Sequence, residues 1–340
     1  MIKFLIPFIT SFLSTVILIA LLILIAKRIK WRKRISDRHI HKDGVYRIGG
    51  IAMALAFNIA IITNRDLTIT PELCGLSIGT LAIMIFGFWD DLKELYWKIQ
   101  LACQIGVAIF IFILGVRIYY ITNPITGGII SLDYGLGVII ATLMVLFWIV
   151  LVMNAINWLD GVDGLSGGVT AITTVTIFFL SLHPDVNQPP IAIICAALFG
   201  TVLGFIIFNF YPSRILAGTS GSMFMGLALA VLAVFAGTKI ATALLVLSIP
   251  IIDLAWVIGE RIKSGKSIFK PDKKHLHYRL LDLGWSQKKV AWFYYIFTAI
   301  IAIIALNTRV IGKSITIVLV LVFMVIIYFT IRKKCRKKNK

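Results

Sequence analysis

Long apolar runs alternate with short polar ones along this chain, and the polar residues gather at the ends of the runs rather than inside them. A helix that crosses the hydrocarbon core of a bilayer needs about 20 mostly apolar residues. Eleven runs meet or approach that length: 4–26, 48–63, 73–89, 99–121, 135–153, 169–182, 191–208, 222–238, 240–258, 291–306 and 313–331. The runs 48–63 and 169–182 are short, so they are expected to be re-entrant or partly buried. The pattern predicts an all-α, polytopic integral membrane protein, folded as a single domain over residues 1–340 with about eleven transmembrane helices. No internal repeat and no soluble domain interrupts it. A basic cluster follows the first run and no small-residue cleavage site is visible, so that run reads as a span and not as a cleaved leader.

Charge gives the runs a direction. The connections 27–47, 90–98, 154–168, 209–221 and 259–290, with the tail 332–340, hold 28 of the 34 Lys and Arg. Basic residues favour the cytoplasmic side of a membrane. These connections are therefore expected in the cytoplasm, with the N-terminus outside and the C-terminus inside. Composition agrees: 59% of residues are hydrophobic and 14% charged, where soluble domains carry about 25% charged residues. A water-soluble globule and a disordered chain are both excluded. The formal net charge of +19 suits loops facing anionic lipid head groups, not nucleic acid. Cys74, Cys103, Cys195 and Cys335 form no CxxC pair, so they offer neither a metal knuckle nor a disulfide framework.

The polar residues nearest the membrane carry the chemistry, and all belong to the cytoplasmic set. Asp90, Asp91 and Glu94 close the third run. If that helix continues, Asp90 and Glu94 share a face, and adjacent carboxylates call for a cation or a proton between them. Magnesium with a phosphate ester fits, as does a solvated acidic helix end balanced by Lys93 and Lys98. Asn154, Asn157, Asp160 and Asp163 recur every third residue among Gly161, Gly164, Gly167 and Gly168, with no local Lys or Arg. Such a polar stripe beside a backbone that a ligand can approach closely is not an ordinary turn. Asn209 and the small-residue stretch Gly218-Thr219-Ser220-Gly221-Ser222 precede the eighth span; its free N–H groups suit a phosphate, and a simple Ser/Thr helix cap explains them too. Asp253 lies inside the ninth run, where a carboxylate is a functional candidate by default. Lys270, Lys273, Lys274, His275, His277 and Arg279 form a basic loop. Its two His sit two residues apart, which suits phosphate contacts better than joint zinc ligation. Together these groups suggest a metal-assisted phosphate reaction at one membrane surface.

In this order, the motifs resemble those of the polyprenyl-phosphate N-acetylhexosamine-1-phosphate transferases, the bacterial undecaprenyl-phosphate N-acetylglucosaminyl-1-phosphate transferases above all. The resemblance runs from about His41 through Arg47-Ile48-Gly49-Gly50 to Arg279. Asp90-Asp91 with Glu94 is similar to the family's DDxxD motif, Asn154 to Gly164 to its NxxNxxDGxDG motif, and His275-Leu276-His277 to its HxH loop. The resemblance implies transfer of a sugar 1-phosphate, most simply GlcNAc 1-phosphate, from a UDP-N-acetylhexosamine to undecaprenyl phosphate. UMP is released, in a first membrane step of a cell-envelope polysaccharide pathway. It implies magnesium, with manganese as the alternative, an active face toward the cytoplasm, and room for a homodimer. Asp90, Asp91 and Asp160 take the catalytic places. Asn157 matches a metal ligand, Asp163 a uracil contact, and Lys98 and His275 phosphate contacts; Asn154, Asn209, His277 and Arg279 join the substrate set.

Two departures stand out. The family's loop before the eighth span reads Gly-Asp-x-Gly-Ser, its Asp being a principal metal ligand, and Thr219 holds that place here. Tyr278 stands where a third His is common. Thr219 keeps a catalytically impaired UDP-sugar- or lipid-binding homologue in view. A phospho-N-acetylmuramoyl-pentapeptide-transferase-like enzyme and a lipid transporter are further alternatives.

Overall fold

The apolar runs fold as helices because a backbone in hydrocarbon must satisfy its own N–H and C=O groups. The computed structural model describes residues 1–29, 45–123, 128–236, 240–268 and 274–338. His41, most of the 27–47 loop and Lys270 and Lys273 of the basic loop lie outside the described residues.

In chain order the helices are α1 (Ile2–Arg28), α2 (Gly49–Ile62), α3 (Pro71–Lys93), α4 (Trp97–Ile113), α5 (Leu136–Leu159), α6 (Leu165–Leu182), α7 (Pro189–Asn209), α8 (Gly218–Phe235), α9 (Ile240–Val246), α10 (Ser248–Lys263), α11 (Leu276–Asp282), α12 (Gln287–Asn307) and α13 (Val310–Lys338). Among the described residues, eight helices are long and apolar enough to cross a membrane, and the bent pair α9–α10 makes a ninth candidate. The other two expected spans are the shorter apolar helices α2 and α4. At 14 residues, α2 is about 21 Å long, less than the roughly 30 Å hydrocarbon core.

Local chemistry sets the boundaries. The Thr70 hydroxyl accepts the Leu73 N–H at 3.3 Å and Pro71 opens α3, while Ser286 caps α12 in the same way. The bend of 73° between α9 and α10 falls where Pro250 forbids a continuous helix. Its ring would clash with the carbonyl four residues back, at Val246, where α9 ends. The expected run 99–121 is corrected: α4 stops at Ile113, and the chain then forms an antiparallel hairpin of β1 (Tyr120–Thr122) and β2 (Ile129–Ser131). The fold is therefore mostly helical rather than purely so. An apolar stretch alone does not distinguish a helix from a short strand.

The core is built around α8, which packs on α2, α3 and α5. Small residues make this close packing workable. Gly226 lies on the backbone of Met153, and Trp148 of α5 donates its indole N–H to the Ala230 carbonyl at 3.1 Å. The outward sides of α5 and α13 carry large exposed apolar side chains, as Phe147 and Leu319 show. At one end of this bundle the C-terminal ends of α3, α5 and α7 meet the N-terminal ends of α4, α6 and α8. The polar motifs are found there.

Candidate functional site

The stripe that begins at Asn154 straddles a helix end. Asn154 and Asn157 lie in the last turns of α5, Asp160 caps it, and the chain reverses within five residues to start α6 at Leu165. Gly164 makes the reversal with φ of 75°. Asn209, at the end of α7, locks the turn from both sides of its amide: Oδ1 accepts the Gly164 N–H at 2.9 Å and Nδ2 donates to the Ile215 carbonyl at 2.9 Å. The Tyr295 hydroxyl donates to the Gly164 carbonyl at 2.5 Å. Asp163 accepts the Ser213 N–H at 3.0 Å. The sequence marks Asn209 and Asp163 as substrate groups; the structure places both in the bracing of this turn. Asn154 pairs with Gln104 of α4 at 2.7 Å.

A second knot joins α3 to α8. Both oxygens of Asp91 face the N-terminus of α8: Oδ1 accepts the Thr219 N–H at 2.9 Å, and Oδ2 accepts the Ser220 N–H at 3.2 Å and the Ser220 hydroxyl at 2.9 Å. A carboxylate there satisfies orphan N–H groups and complements the helix dipole. Arg47 stands 3.6 Å from Asp91. Gly218 is a glycine for two reasons, a φ of 70° and a Cβ position only 2.4 Å from Asp91 Oδ2. Asp90 accepts the Leu95 N–H at 2.8 Å, the Gln100 amide at 2.7 Å and the Thr219 hydroxyl at 2.7 Å.

The two knots touch. The Ser222 hydroxyl of α8 donates to Asn157 Oδ1 at 2.7 Å. Asp160, held by the Ser166 hydroxyl at 2.5 Å, is close enough to Asp91 and Asp163 to feel their charge. Burial raises its carboxyl from 3.8 to about 7, helped by Asp91 and Asp163 and opposed by the Ser166 hydrogen bond and by Arg47. The native state then holds a proton that the unfolded chain has lost. Stability due to Asp160 is therefore greatest in acid and falls as pH rises from about 4 to 7. Without divalent ions, the melting temperature of Asp160→Asn minus that of the native protein is expected to grow across that window and level off above it. A thermal melt series in detergent measures this.

The HxH segment closes the cluster. His275 meets the Trp158 ring edge-on, centroids 5.2 Å apart. His277 is fully buried and stacks parallel to His275 at 5.7 Å. A Cβ on Gly161 would lie 2.6 Å from both His277 Nε2 and the Tyr278 hydroxyl, so only glycine lets this segment close on the α5–α6 turn. Burial pushes His277 down to about 3, so its ring is neutral. Its two nitrogens have no hydrogen-bond partner among the described residues.

Asp90, Asp91, Asn157, Asp160, Thr219 and His275 are thus brought together at one end of the bundle. Among the described residues, two expected phosphate contacts, Arg279 and Lys98, make no hydrogen bond to this network. Arg279 is tied to Glu260 at 2.6 Å and lies over the Tyr328 ring. Lys98 is exposed at the rim of an apolar groove between α3 and α4. Gln100, not Lys98, reaches Asp90, and Arg47 joins the α3–α8 knot without having been given a role. Gln100 and Gln104 were detectable in principle, being polar residues four apart on the face of α4 that also carries the buried Val107, Ala108 and Ile111.

Among the described residues, no three His, Cys, Asp or Glu side chains are grouped to cage a metal by themselves. Magnesium does not require that, since it takes one or two carboxylates and shares the rest of its shell with water and substrate phosphates. The hard oxygens of Asp160, Asn157, Thr219 and Asp91 fit such an ion.

Comparison with known proteins gives the family. Residues 73–237 match the family model described as glycosyl transferase family 4. The chain is 30% identical over 337 residues to the probable undecaprenyl-phosphate N-acetylglucosaminyl 1-phosphate transferase of Bacillus subtilis, covering 97% of this chain and 91% of that protein. It is 32% identical over 303 residues to the decaprenyl-phosphate N-acetylglucosaminephosphotransferase of Mycobacterium leprae, covering 80% and 75%. It is 30% identical over 301 residues to the phospho-N-acetylmuramoyl-pentapeptide-transferase of a Geobacillus species, covering 83% and 90%. The chain belongs to glycosyl transferase family 4, the polyprenyl-phosphate N-acetylhexosamine-1-phosphate transferases.

Proposed function

We propose that this protein transfers GlcNAc 1-phosphate from UDP-GlcNAc to undecaprenyl phosphate in the cytoplasmic membrane, with its polar cluster toward the cytoplasm. The observation that carries the reading is the junction of the two knots. The amide of Asn157 and the carboxyl of Asp160 sit beside the Asp90–Asp91–Thr219 network, so oxygens from α3, the end of α5 and α8 gather at one place. The Bacillus subtilis and Mycobacterium leprae relatives are named for this kind of transfer.

In this transfer an oxygen of the lipid phosphate attacks the sugar-bearing phosphorus, and the bridging oxygen leaves with UMP. Phosphoryl transfer depends mainly on positioning and charge neutralisation. A phosphate monoester with second pKa near 6 is already largely ionised at pH 7, so the nucleophile needs no strong base. That suits Asp90 and Asp91, whose oxygens are engaged by hydrogen-bond donors, by the start of α8 and, for Asp91, by Arg47. They act as a negatively charged frame. Magnesium, held by Asp160, Asn157, Thr219 and Asp91, would neutralise the diphosphate. His275 meets a phosphate oxygen from the loop side, and the bracing by Asn209 and Asp163 keeps the α5–α6 turn open to the nucleotide.

The membrane flank supports a lipid acceptor. The α3–α4 groove has a volume of about 660 Å³, and apart from Lys98 its lining is apolar, with Ile78, Phe86 and Phe110 among it. An isoprenoid tail fits such a lining, and its phosphate would sit near Lys98. A Cβ on Gly106 meets nothing within 4 Å, so a side chain there has room to enter the groove, and Gly106→Leu is the variant that occupies it. Displacing two methylenes' worth of contact raises the KM for the lipid about tenfold and leaves that for UDP-GlcNAc unchanged. Steady-state kinetics with each substrate varied in turn checks this.

The reading is tested by incubating purified protein with undecaprenyl phosphate, magnesium and a panel of UDP-sugars. UMP release with a UDP-N-acetylhexosamine is expected. Release of UMP from none of them would reject it.

A further inference from the structure

A buried carboxylate outside the cluster holds one of its members. Asp253 lies on α10 and is 3% exposed. Its Oδ2 accepts the His275 Nδ1–H at 2.9 Å, and its Oδ1 accepts the Leu276 N–H at 2.8 Å. The Tyr328 hydroxyl of α13 donates to Oδ1 as well, and the Tyr328 ring stacks on Trp256 with centroids 4.4 Å apart. Three donors from two elements thus fix the carboxylate, and the carboxylate fixes the ring. His275 is buried on that side, while its other face meets Trp158, next to Asn157. Because Nδ1 is committed to Asp253, Nε2 is the nitrogen left for a ligand, and among the described residues it has no hydrogen-bond partner.

We infer that Asp253 is a positioning residue for the transfer: it selects the Nδ1–H form of His275 and sets the ring angle, so that Nε2 meets the substrate diphosphate, and Tyr328 keeps Asp253 in place. A His nitrogen used in chemistry is commonly chosen by the hydrogen bond its other nitrogen makes. The inference rests on the transfer reading above, and it gives α13 a task beyond crossing the membrane.

The test uses the full-length protein in nanodiscs. Asp253→Asn keeps the side chain's size but presents an amide that can offer an N–H to the ring. A loss in kcat of about 10- to 100-fold is expected, by analogy with outer partners of metal-bound His. KM for UDP-GlcNAc should stay within about threefold, since the loss falls on the reacting state rather than on ground-state binding. In a His275→Gln background, Asp253→Asn should add little further loss, because the carboxylate acts through that ring. Nitrogen-15 spectra of histidine-labelled protein, assigned with His275→Gln, should show the Nδ1–H form in the native chain and its loss in Asp253→Asn. Tyr328→Phe keeps the stacked ring and should give a smaller fall in kcat; it carries the test if Asp253→Asn does not fold. Native kcat in both variants, additive losses in the double variant, or an Nε2–H form in the native protein would each overturn the inference. Absence of UMP release by the native protein would instead reject the transfer reading, and the nitrogen spectra would still decide whether Asp253 holds the ring.

Discussion

Thr219→Asp is expected to tighten the apparent magnesium affinity at least tenfold and to raise turnover at low magnesium. Thr219 Oγ lies 2.7 Å from Asp90 Oδ2, and its N–H is on Asp91. A carboxylate here would be a third negative group in one small pocket. Without a cation the three repel, so the metal-free variant should melt below the native protein; with magnesium the added charge is attractive, and about 1.4 kcal/mol of it corresponds to the tenfold change. Magnesium titrations followed by melting temperature and by UMP release read both effects. Thr219→Ala gives the control. It removes one hydrogen bond to the Asp90 carboxylate, worth about 1.5–3 kcal/mol, together with one neutral oxygen of the proposed ion site, and should weaken the apparent magnesium affinity only a few-fold. If Thr219→Asp lowers turnover and leaves the magnesium response unchanged, Thr219 does not face the ion and the donor set proposed above is wrong. A large gain would show that the native pocket works with a weakly held ion.

Asp91→Asn should be the most damaging single change in the cluster. The carboxylate accepts two backbone N–H groups and a hydroxyl at the start of α8 and stands 3.6 Å from Arg47. An amide of the same shape must turn its NH2 toward at least one of these donors. Bonds to a charged group are worth about 1.5–3 kcal/mol, so the variant should melt lower. Its turnover should fall on the order of 10³-fold, since both the frame and its charge are lost where phosphate charge develops. Arg47→Gln is the milder companion, weakening the charge balance while the α8 bonds persist. Asp91→Asn with unchanged melting and near-native UMP release would mean that the α3–α8 knot is not part of the working site.

Much of the site was legible because helix ends announce themselves. The Asn154–Asp163 series, with its glycines and without a basic residue, marked the α5–α6 turn, and the Asp90–Asp91 pair marked the end of α3. Periodicity gave the helices for the same reason: lipid permits little else. What the sequence hid was direction and distance. Lys98 and Gln100 are two residues apart, yet the start of α4 at Trp97 turns Gln100 toward Asp90 and Lys98 toward the groove. Arg279 reads as a phosphate ligand until α10 brings Glu260 beside it. The Asp253–His275–Tyr328 contact joins residues 22 and 75 positions from Asp253, and no local pattern reports such a meeting. The end of α4 was hidden because the stretch 114–121 that follows it stays largely apolar.

The most direct test follows the phosphorus. Purified protein is given UDP-GlcNAc carrying phosphorus-32 in the phosphate next to the sugar, with undecaprenyl phosphate and magnesium, and the lipid and aqueous phases are counted. Label in a lipid diphosphate sugar, with unlabelled UMP in the water and neither product in Asp91→Asn, is the predicted result. Labelled UDP in the water with an unlabelled glycolipid, or label that never leaves UDP-GlcNAc, would contradict the account.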